Sequence, residues 1–381
     1  MNIVPFNIPH TSSNDLFYLA DLIHSKKFSG NGKYTQKCQT FFEEKYNFKK
    51  SFLTTSCTAA LEMTALLLDC KDGDEIIIPS YTFVSTALAF VREGAKVIFA
   101  DSCLNNPNLD IEKLSSLITP KTKAIVIVHY AGISVNMNDL LKITKKFNLV
   151  LIEDAAQAIH SFYQKKPLGS FGHLATFSFH ETKNIHAGEG GLLVVNDKKY
   201  IKRAEILWEK GTNRMAFFRG EIPKYEWIDK GSSFLPSEIT AAFLYSQLLD
   251  IEDVTHKRLV IWQHYYNSLL VLKNKNLIDF LNDKKINEHN AHIFFILCNS
   301  KKERDNLISY LKNKGIQAVF HYQALHQSKF HLQNNSYKPL PNAEKYSDRL
   351  LRLPIFYSLS INQQNYIITE IYNFFKFPCT N

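Results

Sequence analysis

Nothing in the 381-residue chain approaches the ~20 consecutive apolar residues of a membrane-spanning helix, and the opening MNIVPFNIPH is too short and Pro-interrupted for a secretory h-region. The expectation is a cytoplasmic chain that makes no use of a membrane. Cysteine pairs are missing as well. Cys38, Cys57, Cys70, Cys103, Cys298 and Cys379 are scattered without a CxxC, which argues against a zinc site or a disulfide framework and for reduced thiols. No metal is expected. The net charge is +9, yet no long basic tract carries it, and the lysines fall in short groups such as Lys49-Lys50, Lys165-Lys166 and Lys301-Lys302. That argues against a nucleic-acid partner and for a diffuse positive field that favours an anionic ligand, less so at high salt. Internal repeats and low-complexity tracts are absent too.

What is present suits one large core with a smaller attached domain: 45% of residues are hydrophobic and 21% charged. From Glu75 to Val195, apolar β-rich runs at Ile76–Ile78, Val97–Ala100, Ala124–Val128, Val150–Ile152, Ala175–Phe179 and Leu192–Val195 alternate with helical stretches. Continuous rather than alternating apolar runs predict strands covered on both faces, hence an α/β fold with a mostly parallel sheet. Ahead of it, Asp15 to Asn47 reads as helix, loop and helix. Arg203 to Glu238 is charged and aromatic without sustained periodicity, and a loop of that length needs a task or a partner. Pro236–Leu249 and Ile251–Leu272 read as helices. A change of organisation near residue 250 predicts a large domain over 1–250 and a small α+β domain over 251–381, with strands at Ala291–Leu297 and Gln317–His321 around a helix at Lys301–Lys314.

Chemistry concentrates in three places. The stretch ATFSFHETKNIHAGEGGLLVVN, Ala175 to Asn196, carries Lys183 on a polar loop between two apolar runs, where an amine can act as a nucleophile. In LVLIEDAAQ, Leu149 to Gln157, an apolar run ends in Glu153 and Asp154; strand side chains alternate, so only one of the two carboxylates faces a given pocket. In TTSCTAALEMTALLL, Thr54 to Leu68, four hydroxyl residues precede a helical segment. Such a start serves equally as a plain N-cap or as an anion site. His129 ends a predicted strand and is open between a packed core histidine and a wall of the site.

These segments, together with VPFNIPH, IIIPSYTFVSTA, VHYAG, EKGTNR, VFHYQALH and LLRLPIFYSLS, resemble the DegT/DnrJ/EryC1/StrS sugar aminotransferases over nearly the whole chain. The resemblance implies a fold type I, pyridoxal 5'-phosphate (PLP)-dependent enzyme. It implies that Lys183 binds PLP covalently, that Asp154 pairs with the ring nitrogen, and that Gln157 lies near the ring hydroxyl. Phe83 falls where the family stacks an aromatic ring on the cofactor, and Ser178, Thr58 and Ala59 fall at its phosphate. His321 and Tyr322 fall where the family approaches the sugar. Apart from the resemblance, the long Arg203–Glu238 segment leaves two readings open for Arg214 or Arg219: contact with substrate phosphate across a dimer interface, or solvated arginines on a structured loop. Many relatives place an asparagine from the partner subunit near the cofactor phosphate; the aligned GSSFLPSEI has Leu235 there, with Ser232 or Ser233 as substitutes.

The implied reaction moves the amine of glutamate to a nucleotide-linked 4-keto-6-deoxyhexose. The implied sugar is dTDP-4-keto-6-deoxyglucose and the product dTDP-4-amino-4,6-dideoxygalactose, for a surface polysaccharide such as enterobacterial common antigen or O-antigen, made by a homodimer with shared sites. C3 amination and the gluco epimer are the alternatives within the family. A sugar dehydratase on the same scaffold has histidine in place of Lys183, and a non-catalytic regulatory protein does not need Lys183, Asp154, Ser178 and Thr58 together.

Overall fold

In the computed structural model, which describes residues 3–281 and 288–378, the apolar runs become strands because each is covered on both sides. They are β1 (Ser51–Thr54), β2 (Glu75–Pro79), β3 (Lys96–Ala100), β4 (Thr122–Val128), β5 (Val150–Asp154), the small pair β6 (Phe162–Tyr163) and β7 (Lys166–Pro167), β8 (Leu174–Ser178) and β9 (Gly191–Val195). Seven of them form one sheet in the order β1-β9-β8-β5-β4-β2-β3. The pairs from β8 through β5, β4 and β2 to β3 are parallel, and β9 pairs antiparallel with both β8 and β1. The expected α/β architecture with a mostly parallel sheet is therefore present.

Alternation distributes the side chains between two cores. Ile76, Ile78, Val126, Ile152 and Leu193 pack on one face with Ala60, Met63 and Leu67 of the helix that follows β1, while Ile77, Ile125, Ile127 and Leu151 pack on the other with Leu140. Helices flank the sheet. Helices α1 (Asp15–Ser25) and α2 (Lys33–Tyr46) match the expected helix–loop–helix, and α3 (Cys57–Leu67) and α4 (Ser85–Arg92) start beside the ends of β1 and β2.

The helices Glu238–Leu249, Ile251–Asn274 and Lys301–Asn313 also fall where expected. A further core joins Trp262, Tyr265, Phe294, Ile296, Leu307, Leu351, Leu353 and Ile367, and takes in Val4 from the other end of the chain. Within it β10 (Phe294–Leu297) runs antiparallel to β11 (Leu350–Leu353).

Two expectations need correction. Gln317–His321 is not a strand: only a single bridge joins Val319 to Arg352, because Ile316 and Gln317 are turned toward Val4, which donates to the Gly315 carbonyl and accepts from the Gln317 amide. Nor is all of Arg203–Glu238 loop, since Arg203 to Trp208 completes the helix Lys198–Trp208 and a short helix spans Arg214–Phe218. Among the described residues no helix is long and apolar enough to cross a membrane. Cys379 lies outside the described residues.

Candidate active site

Val128, Asp154 and Ser178 are the last residues of β4, β5 and β8, and all three line a cleft of about 810 Å³. The carboxyl ends of parallel strands are where an open α/β sheet leaves room for a ligand. Lys183, Thr58, Phe83, Gln157, His321 and Tyr322 border the same cleft.

Asp154 is 4% exposed. Its Oδ2 accepts from the Thr86 hydroxyl at 2.8 Å and its Oδ1 from the Ala156 amide at 3.1 Å. Burial pushes its pKa up, opposed by those two donors and by Lys183. Glu153 points to the opposite face of the sheet. There it accepts from the amides of Gly169, Phe171 and Gly172 at 2.8, 2.7 and 2.6 Å and meets His129 Nε2 at 2.8 Å. His129 is fully buried and is absent from the cleft lining. It is the packed core histidine of the two readings left open.

Lys183 sits on the loop after β8, its amide donating to the His180 carbonyl at 2.9 Å. Burial lowers the pKa of its ε-amine, against the pull of Cys57 and Asp154, and Arg352 lowers it further. A partly buried amine of depressed basicity more readily keeps the neutral form that attacks a carbonyl. β9 begins close beside this loop, and the approach is tight. A Cβ on Gly191 would stand 2.2 Å from the Ser56 carbonyl carbon, so only glycine lets β9 pass the start of α3.

The start of α3 forms one end of the cleft. Ser56 caps the helix by accepting from the Ala59 amide at 3.1 Å, and the Thr58 hydroxyl meets that of Ser85 on α4 at 2.8 Å. The helix end favours an anion, and Ser56, Thr58 and Ser178 add hydroxyls around it. Ala59 itself does not border the cleft, and its amide already serves Ser56. Ser56 and Cys57 stand there instead.

Aromatic residues close the other side. Phe83 is 55% exposed and its ring centroid lies 6.1 Å from that of Tyr322. The Gln157 side-chain amide donates to the Tyr322 hydroxyl at 2.9 Å, while its carbonyl accepts from the Ala131 amide at 2.7 Å. His321 stacks on Tyr322 at 3.5 Å and shares a 2.7 Å hydrogen bond with the Tyr130 hydroxyl. Burial holds His321 well below the ordinary histidine pKa.

Arg214 does not border this chain's own cleft; its guanidinium lies 4.9 Å from the Phe218 ring and 5.9 Å from that of Tyr225. Ser232, Ser233 and Leu235 are likewise outside it, with Phe234 tied by its carbonyl to the Thr55 amide at 2.9 Å. Sequence reasoning passed over Thr86, Arg258, His292 and Arg352, all of which line the cleft. Thr86 and Arg352 lie inside segments singled out above. The available signal was a hydroxyl one helical turn after Thr82, and a charge alone in an apolar run.

Comparison with known proteins places this geometry. An uncharacterized protein of Methanocaldococcus jannaschii is 33% identical over 335 residues, covering 85% of this chain and 86% of that one. The structure of PseC from Helicobacter pylori, an aminotransferase involved in the biosynthesis of pseudoaminic acid, matches with a TM-score of 0.89 and 27% identity over 98% of this chain and 100% of that one. The Bacillus subtilis protein NtdA, solved with bound cofactor PMP, matches with a TM-score of 0.89 and 23% identity over 99% of this chain and 86% of that one, a likeness of fold. The model of the DegT/DnrJ/EryC1/StrS aminotransferase family matches residues 9–372, and the chain belongs to that family.

Proposed function

We propose that the chain is a PLP-dependent transaminase that moves an amine from glutamate to a nucleotide-linked 4-keto-6-deoxyhexose, with dTDP-4-keto-6-deoxyglucose as the sugar and dTDP-4-amino-4,6-dideoxygalactose as the product for a surface polysaccharide. One observation carries this reading. An amine of lowered basicity, a buried carboxylate and a hydroxyl-lined helix end share a single cleft, and they fit the aldehyde, ring nitrogen and phosphate of PLP. Bound there, the cofactor supplies an electron sink for the carbon that gains or loses the amine.

The chain's own residues do the rest. Asp154, held by Thr86 and Ala156, places negative charge where a protonated ring nitrogen needs it. That cation in turn opposes the upward push of burial on the carboxylate. The hydroxyls of Ser56, Thr58 and Ser178 would hold the phosphate, and Phe83 would lie against the ring. Lys183 borders the same cleft, where its amine would hold the cofactor's aldehyde carbon and, when free, would serve as the base that moves a proton at the reacting carbon. His321 and Tyr322 stand on the sugar side.

The motifs from Val4 to Ser360 support the sugar assignment, and the part the H. pylori relative plays in making pseudoaminic acid supports an amino-sugar product. A cytoplasmic homodimer completes the proposal, with the exposed Phe218, Tyr225 and Trp227 at its interface and Arg214 reaching the partner's cleft. Residues 251–381 act as the smaller domain.

The test is spectroscopic and then chemical. The purified protein with PLP develops an absorption band near the violet edge that glutamate bleaches, Lys183→Ala lacks both the band and turnover, and NMR of the product from dTDP-4-keto-6-deoxyglucose reads amination at C4 with the galacto configuration. A Lys183→Ala protein with an unchanged spectrum refutes the assignment.

A further inference from the structure

Among the described residues three histidines border the cleft, His180, His292 and His321, and they differ in which ring nitrogen carries the hydrogen. Nδ1 of His180 accepts from the Thr182 amide at 3.2 Å, so its hydrogen is on Nε2, which lies 3.5 Å from Glu189. His321 meets the Tyr130 hydroxyl, a group that can give or take a hydrogen bond. His292 has no such freedom. Its Nδ1 lies 2.9 Å from Oδ1 of Asn184, and that amide is oriented by its own Nδ2, which donates to the Asn290 carbonyl at 2.8 Å. An amide oxygen can only accept, so Nδ1 of His292 carries the hydrogen and Nε2 the lone pair.

The ring is held neutral and in place. It is 9% exposed, and burial, followed by the charges of Lys183, Arg258 and Arg352, keeps its pKa well below the ordinary histidine value. Arg258 fixes the backbone by donating from Nε and Nη2 to the carbonyls of Ala291 and His292 at 3.1 and 2.8 Å, and the Asn290 side chain accepts from the His292 amide at 3.1 Å. Asn184 follows Lys183 in the chain, so its bond to Nδ1 ties the ring to the loop that carries the reacting amine. Of the two ring nitrogens the protein engages only Nδ1 among the described residues. A lone pair at the wall of a cleft, given no donor by the protein, is one that a ligand can match.

Resting on the transaminase reading, we propose that Nε2 of His292 accepts a hydrogen bond from the hydroxyl on the sugar carbon next to the ketone, and so selects a 3-hydroxy-4-keto sugar. What each ligand offers decides between them. The carboxylates of the amino donor and the phosphates of nucleotide and cofactor bring lone pairs, which a lone pair does not match, and the donor's amine is taken up by the cofactor. The hydroxyls of the hexose bring hydrogens. With C4 at the position Lys183 serves, one neighbouring carbon bears a hydroxyl while the other bears only the methyl group and the ring oxygen. The C3 hydroxyl is therefore the donor nearest the reacting atom. A wall built to receive it turns away a sugar that lacks it, because the acceptor is then left unmatched.

The test follows glutamate-dependent amination of dTDP-4-keto-6-deoxyglucose and of its 3-deoxy analogue by full-length wild type, His292→Asn and His292→Gln, each loaded with PLP. Asparagine sets an amide nitrogen where Nδ1 was and leaves the Nε2 position empty; glutamine returns an acceptor to the Nε2 position and gives up the Nδ1 donor. Wild type should favour the 3-hydroxy sugar by about 10- to 100-fold in kcat/KM, the worth of one acceptor matched or left bare. His292→Asn should lose that preference by falling on the 3-hydroxy sugar alone, with the cofactor band and its bleaching by glutamate unchanged, and His292→Gln should keep much of it. A wild type indifferent to the C3 hydroxyl overturns the proposal, as does a His292→Asn protein with the preference intact. Equal losses on both sugars, or a changed cofactor band in His292→Asn, also overturn it and leave the ring as a tie to the Lys183 loop. If His292→Asn fails to fold, loss of the preference in His292→Gln overturns the proposal instead. A wild type with no cofactor band breaks the transaminase reading itself, whereas one that forms the band and aminates neither sugar overturns the choice of sugar and this inference with it; the band separates the two.

Discussion

Glu153 and Asp154 are consecutive, both nearly inaccessible to water, and opposite in almost every physical respect. Glu153 has three backbone amides and His129 around it, enough to hold its carboxylate below the ordinary pKa in spite of burial. Asp154 has one hydroxyl and one amide, too few to offset burial, and its pKa is raised. The first carboxylate is saturated and holds the Gly169–Gly172 turn against the sheet. The second is left short of partners on the face where a ligand enters. A buried charge with every lone pair engaged organises structure, whereas one kept under-satisfied is available for chemistry.

Breaking the saturated side should cost the most. Glu153→Gln removes the charge and turns an amide N–H toward other donors, so it should destabilise the protein by about 3–5 kcal/mol, the usual result of stripping one partner from a buried pair. Denaturant titration measures it. Because the folded pKa lies below the ordinary value of 4.5, the stabilisation by Glu153 is complete above that pH and is lost as pH falls through the folded pKa. The gap between wild type and Glu153→Gln should therefore be full at pH 7 and close below about pH 4.5; a gap that widens in acid contradicts the account.

On the other face the sign reverses. Asp154→Asn should lower transaminase turnover about 10²–10³-fold, in the range for removing one preorganised electrostatic partner, which corresponds to roughly 3–4 kcal/mol in the barrier. Yet the cofactor-free variant should be more stable than wild type, by on the order of 1 kcal/mol. The folded pKa of Asp154 is raised above 3.8, so stability falls as pH rises from 3.8 through the folded value, and at neutral pH the ionised side chain is a net cost. Asparagine removes that cost. Thermal melts of the two cofactor-free proteins at pH 7 test it, and a lower melting temperature for Asp154→Asn would refute it.

How much of this was legible beforehand follows the range of the interactions. Period-2 alternation and continuous apolar runs are local, so six strands of the main sheet and the opposition of Glu153 to Asp154 could be read from residue order. That Asp154 is the one in the cleft came from resemblance, since parity alone leaves the faces unnamed. His129 stayed undecided because its role depends on Glu153 across the β4–β5 pairing. Gln317–His321 has strand-like composition, but Val4, more than 300 positions away, takes the edge it would have used. Arg352 was hidden for the same reason: nothing within LLRLP tells that the Phe6 ring and the Phe320 carbonyl, from two distant segments, stand beside its guanidinium. Arg214 and the Gly231–Ile239 segment lie outside the cleft of the chain, and residue order alone carries no sign of that.

The smallest expected effect probes how far Asp154 can be starved of partners. Thr86 donates to Asp154 and is itself hydrogen-bonded to Thr82 at 2.9 Å, so the hydroxyl both orients the carboxylate and favours its charged form. Thr86→Val keeps the shape and removes the donor, and a loss of about 1–1.5 kcal/mol of support for the ionised carboxylate in the transition state, the size of one ordinary hydrogen bond, would read as roughly a tenfold loss of turnover. With less support for the ionised form, the pKa of Asp154 should rise further, and the acid limb of the turnover profile should move to higher pH while the alkaline limb stays in place. In Glu153→Gln, measured on protein that remains folded, neither limb should move. A shift of the acid limb in Glu153→Gln and none in Thr86→Val would mean that the two faces of β5 are coupled through the strand rather than separated by it.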